Sequence, residues 1–118
     1  MSKKSIADTR ISEISQRVIQ AAKDTFKEKL EKVYLFGSYA RGDYDEESDI
    51  DFLIIADTSQ EEACAKHMEV RRNMHGIDLE YDLLVSCCVT SCEVFNKYIE
   101  SLPFYSNVVK EGVVLVER

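Results

Sequence analysis

Apolar residues at Ile11, Ile14, Val18, Ala22, Phe26 and Leu30 recur at intervals of three and four. That period predicts one face of an amphipathic helix running from about Ala7 to Glu31. "KVYLF" then reads as a short strand ending at Gly37, and "SYARGDYDEES" as a polar connection. "DIDFLIIA" is apolar at almost every position, which predicts a second strand buried on both faces. Thr58 or Ser59 can cap the next helix, with Glu61 and Glu62 in its first turn. Ala63, His67, Val70 and Met74 mark its inner side, and Gly76 ends it. In "IDLEYDLLVSC", Ile77, Leu79 and Tyr81 alternate with Asp78, Glu80 and Asp82 before the wholly apolar "LLV". This predicts a third strand. A helix over Ser91–Ser101, a further helix opening at Pro103 with Gly112 just beyond it, and a last short strand "VVLVE" complete the pattern.

The order α-β-loop-β-α-β-α-α-β predicts α/β (α+β) layering, with helices over a small sheet. A length of 118 residues fits one domain spanning the chain. The composition, 45% hydrophobic and 31% charged, is that of an ordinary globular protein. The opening "MSKKSIADTR" lacks the apolar core of a signal peptide, and no apolar run is long enough to span a membrane. A cytoplasmic location is therefore expected. The net charge of -7 argues against gripping a nucleic-acid template, which needs a basic surface. It leaves room for a nucleotide held through divalent cations. Cys64, Cys87, Cys88 and Cys92 match no zinc-ribbon or thioredoxin-like spacing and are expected as reduced, partly buried thiols. A metal or redox role for "SCCVTSC" stays open at this point. His67, on the inner helix face, is expected to be a hydrogen-bonded structural residue.

The chemistry concentrates in "YLFGSYARGDYDEESDIDFLI". Side chains alternate along a strand, so Asp49 and Asp51 point the same way. Two carboxylates that close repel each other unless a cation lies between them. Magnesium suits such a pair, with phosphates and water completing its shell. Gly37 allows close backbone approach, Ser38 offers a hydroxyl, and a helical turn in "SYAR" would aim its first amides outward as a phosphate cradle. Arg41 is placed either to meet a phosphate or to brace the acidic loop through Asp43, Asp45, Glu46 or Glu47. Two-metal phosphoryl transfer needs a further carboxylate for the ion that activates the attacking hydroxyl. The third strand offers Asp78, Glu80 and Asp82. Asp82 is favoured because it precedes "LLV" as Asp51 precedes "FLII", and Glu80 is the reserve.

These residues resemble the signature of the minimal nucleotidyltransferases in the DNA polymerase beta superfamily: Gly-Ser, ten residues, then Asp-x-Asp. The Ala-Arg-Gly and Ser-Asp-Ile-Asp that often flank it are present too. Asp82 in "YDLLV" looks like the family's third acid, and "PFYSNVVKEGVVL" like a tail common in such domains. The resemblance implies a polymerase-beta-like fold with a small mixed sheet flanked by helices. It implies that Asp49, Asp51 and Asp82 bind two magnesium ions, which manganese could replace. It also implies that Gly37, Ser38, Arg41 and Ser48 bind the nucleotide, most simply ATP. An acceptor hydroxyl would attack the α-phosphate. With little beyond a catalytic core, the chain is expected to meet its acceptor through a partner or a homodimer. The resemblance points to the antitoxin half of a toxin–antitoxin pair that adenylylates a small helical HEPN-type toxin. A small-molecule (aminoglycoside-type) nucleotidyltransferase and a non-catalytic binding module are the alternatives.

Overall fold

The computed structural model describes residues 3–45 and 48–117. The chain opens with helix α1 (Lys3–Phe26), a 3-10 turn (Lys27–Lys29) and strand β1 (Leu30–Phe36). The single turn α2 (Ser38–Arg41) follows, then β2 (Ile50–Ala56), α3 (Gln60–Ala65), α4 (His67–Asn73), α5 (Ile77–Tyr81) and β3 (Val85–Ser91). Helices α6 (Cys92–Tyr98) and α7 (Pro103–Glu111) lead to β4 (Val113–Glu117). Among the described residues the sheet has four strands in the order β3-β2-β1-β4. Strand β1 is antiparallel to both β2 and β4, whereas β2 and β3 run parallel, so the sheet is mixed.

Strand alternation gives the sheet two apolar faces. Val33, Leu35, Ile50, Phe52 and Ile54 pack with Ile14, Val18, Ala22 and Phe26 of α1, with Val70 of α4 and with Met74 just after it. On the opposite face Tyr34, Leu53 and Ile55 pack with Phe95 of α6 and Val108 of α7. Strand β2 is thus covered on both sides, as its nearly continuous apolar sequence predicts. Asp51 alternates with Leu53 and Ile55, so its side chain belongs to the face that α6 and α7 cover.

Three boundaries differ from the sequence reading. Helix α1 stops at Phe26 because Lys27 adopts φ +54°, a left-handed turn that ends helical hydrogen bonding, and Leu30 starts β1 instead. The helix capped by Ser59, whose Oγ accepts from the Glu62 amide at 3.0 Å, is broken at Lys66 into α3 and α4. The third difference matters most for the site. Ile77–Tyr81 is helical and the strand begins only at Val85. Ile77 and Tyr81 face the core one helical turn apart, while Leu79 is 91% exposed. Over five residues, apolar positions at 77 and 81 satisfy a helix as well as a strand. No helix among the described residues is long and apolar enough to cross a membrane.

Candidate active site

The site forms where β1 ends, α2 turns and β2 begins. Gly37 has φ +78° and ψ −159°, a region essentially closed to residues with a side chain. A Cβ there would lie 2.5 Å from Asp51 Oδ2. Glycine is therefore required twice, by its conformation and by the carboxylate lying against it. The pairing of Phe36 with Asp51 across β1 and β2 fixes that approach. Immediately after Gly37 the chain turns into α2, where the amides of Ala40 and Arg41 both donate to the Gly37 carbonyl at 3.1 Å. The amides of Ser38 and Tyr39, the first two of the turn, precede these bonds.

Asp49 is exposed and Asp51 half-buried. Burial, and then the neighbouring charge of Asp49, hold the Asp51 carboxyl above its ordinary range. The Asp49 carboxylate is thus close enough to oppose the ionisation of Asp51. Hard, anionic and made of oxygen donors, this pair has the chemistry of a site for a divalent cation.

The loop around the pair is held by its own bonds. Tyr39 is buried and stacked on Tyr44, with ring centroids 4.2 Å apart and planes 9° from parallel. Arg41 pairs with Asp43 at 3.2 Å and with Glu111 at the end of α7 at 3.1 Å. Its guanidinium therefore braces the turn against α7, and contact with a phosphate would require exchanging one of these bonds. Ser48 Oγ accepts from the Asp45 amide at 3.0 Å and donates to Asp45 Oδ1 at 3.2 Å, closing the loop before Asp49.

The candidates for a third carboxylate do not lie on the strand where the sequence reading puts them. Asp82 lies on no strand. It is an exposed left-handed residue, φ +53°, closing α5. Glu80 is ion-paired with Arg17 at 2.7 Å, and Asp78 accepts from the Val85 amide at 3.1 Å and from Arg71. Among the described residues no three His, Cys, Asp or Glu side chains converge on a point where a metal could sit. Gly37, Asp51 and Asp49 are neighbours, Ser38 follows Gly37 in the chain, and Asp82 closes α5 before β3 begins.

The register of β2 and β3 shows what flanks the pair instead. Asp51 is paired with Ser86 and Leu53 with Cys88. The Cys88 thiol is raised by burial and then by the charge of Asp51, as its place on the same face requires. Neither residue could have been found from spacing, because nothing local reports the register of two parallel strands joined by a long crossover. All four cysteines are free thiols. Burial pushes the Cys87 thiol up to about 12, which makes it a packing residue and not a nucleophile. His67 is structural, as expected, donating from Nε2 to the Cys87 carbonyl at 2.9 Å.

Comparison with known proteins agrees with this geometry. Residues 15–115 match the family model described as "Nucleotidyltransferase domain". A Methanocaldococcus jannaschii protein named "Putative protein adenylyltransferase MJ0604" is 40% identical over 100 residues, 82% of this chain and 89% of that protein. A second protein of that organism bearing the same description, MJ0141, is 37% identical over 67% of this chain and 78% of its own length. The crystal structure of a "putative nucleotidyltransferase" from Sulfolobus solfataricus superposes with a TM-score of 0.66 at 26% identity, covering all of this chain and 91% of the other. A toxin-antitoxin structure with AMP-PNP shares the fold, with a TM-score of 0.58 at 22% identity over 87% of this chain and 73% of that one. Together with the glycine held against paired aspartates, these likenesses show that the chain belongs to the nucleotidyltransferase domain family.

Proposed function

We propose that this nucleotidyltransferase moves AMP from ATP to a hydroxyl on a partner protein, and that it needs magnesium to do so. The observation that carries this reading is the packing of the Asp51 carboxylate against Gly37, where only glycine leaves it room, which sets the start of the α2 turn beside a pair of acids. In the reaction, the acceptor oxygen bonds to the α-phosphorus, the α–β phosphoanhydride breaks and pyrophosphate leaves. Bound magnesium supplies neutralisation of the triphosphate charge and polarisation of the α-phosphate. Asp49 and Asp51 would hold that ion, their mutual repulsion being relieved by it. Ser38 would donate its hydroxyl to a phosphate oxygen beside the first amides of α2, while the lack of a side chain at Gly37 makes room for the Asp51 carboxylate. Arg41 and Ser48 keep the loop in shape through Glu111, Asp43 and Asp45.

The relatives described as protein adenylyltransferases support a protein acceptor and ATP as donor. The acceptor we assign is a tyrosine of a small, all-helical HEPN-type toxin, which makes this chain an antitoxin. The test is transfer of label from ATP radiolabelled at the α-phosphate to a purified small, all-helical HEPN-type protein. The expected result is magnesium-dependent label on the partner's tyrosine, absent with Asp49→Asn. Label arriving from the γ-phosphate, or undiminished transfer by Asp49→Asn, would contradict it.

A further inference from the structure

Two-metal transfer needs a carboxylate beside the Asp49–Asp51 pair, on the same face and at the same depth. Parallel pairing gives one position that meets this description on the neighbouring strand. Residue 86 lies directly across from Asp51, and paired residues of adjacent strands point to the same face. Adjacent strands lie about 4.8 Å apart, close to the roughly 3.5–4 Å that separates the ions of two-metal sites. A carboxylate at 86 could therefore share an ion with Asp51. The residue there is Ser86, half-buried, and the next on that face is the thiol of Cys88. The three acids nearest in sequence are otherwise placed: Asp78 holds the start of β3, Glu80 pairs with Arg17, and Asp82 faces solvent beyond α5.

We infer that Ser86 occupies the place of the acceptor-activating carboxylate, so that the chain's own residues hold one divalent ion with the nucleotide and not two. The inference deepens the metal-dependent reading proposed above and rests on it. It also makes Ser86 the position from which a second ion site can be built. Ser86→Asp adds a carboxylate across from Asp51 without touching Gly37, Ser38 or Asp49.

The experiment counts manganese ions bound per chain, by electron paramagnetic resonance, in the presence of a non-hydrolysable ATP analogue. Three proteins are compared: wild type, Ser86→Asp and Asp82→Asn. The inference predicts one ion for wild type, two for Ser86→Asp, and one for Asp82→Asn with affinity within about twofold of wild type. Two ions on wild type, one of them lost in Asp82→Asn, would overturn it and return the third ligand to Asp82. A Ser86→Asp protein with wild-type circular dichroism and a single ion would also overturn it. Should Ser86→Asp not fold, the wild-type and Asp82→Asn counts decide alone. No manganese bound by wild type would overturn the metal-nucleotide reading itself and this inference with it, whereas two ions would overturn this inference only.

Discussion

Asp51 sits in a strained setting that suits it to hold a cation. Without one, its charge is partly desolvated and opposed by Asp49. Asp51→Asn is therefore expected to stabilise the metal-free protein while abolishing magnesium-dependent nucleotide binding, a trade common at functional sites. Differential scanning calorimetry should show a midpoint rise of about 2 °C, modest because the carboxylate is not fully buried. The pH dependence has a definite sign. A carboxyl whose folded pKa lies above its unfolded value binds its proton more tightly in the fold, so stability falls as pH rises from the ordinary 3.8 through the raised value. The advantage of Asp51→Asn over wild type should thus grow as pH rises above the ordinary 3.8 and level off once the raised value is passed. An advantage that shrinks with rising pH would contradict the assignment. Gly37→Ala tests the other half of the contact. An alanine there must adopt the glycine region and displace Asp51, at a cost of about 1–3 kcal/mol. Urea denaturation should show that loss, together with at least tenfold weaker magnesium–ATP binding.

At the scale of elements, the segment between α4 and β3 decides what stands beside the pair. Arg71 donates to the Val85 carbonyl at 2.7 Å while Asp78 accepts from the Val85 amide at 3.1 Å, so this pair clamps both backbone groups where β3 starts. Asp78→Ala should destabilise the protein by about 1–3 kcal/mol, since it orphans a partly buried amide. Hydrogen exchange should show faster exchange at Val85, with little change in β4. This segment is also where sequence and structure part. "SYARG" and "DIDFLI" were legible because turn chemistry and strand alternation are local. Gly37 lies against Asp51, and Asp49 is the charged neighbour of Asp51. The alternation in "IDLEYD" misleads because Leu79 is left in solvent and Ile77 and Tyr81 satisfy a helical turn. Moving the start of β3 to Val85 takes Asp82 off the sheet and brings Ser86 to Asp51, an outcome of non-local register.

The whole molecule is a mixed sheet between two helical layers, α1 with α4 on one face and α6 with α7 on the other. The site lies at the N-terminal end of β2, on the α6 and α7 side, where Arg41 and Glu111 tie the α2 turn to that layer. The burial of β2 on both faces was legible from its apolar run, as was the succession of strands along the chain apart from the start of β3, whereas their order in the sheet was not. Charge acts at this scale too. With a net charge of -7, attraction to polyphosphate backbones is lacking. Fluorescence anisotropy with single-stranded DNA should therefore detect no binding up to about 100 µM protein at physiological salt, beyond the weak end of ordinary non-specific affinities. Tight binding would mean that a template had been overlooked. The central claim, that paired aspartates against Gly37 hold a metal-bound nucleotide, is tested most directly by calorimetric titration of ATP with and without magnesium. The wild type should be compared with an Asp49→Asn/Asp51→Asn double variant. The account predicts saturable binding by wild type that requires magnesium and vanishes in the variant. Equal binding by the variant, or binding by wild type that is indifferent to magnesium, would contradict it.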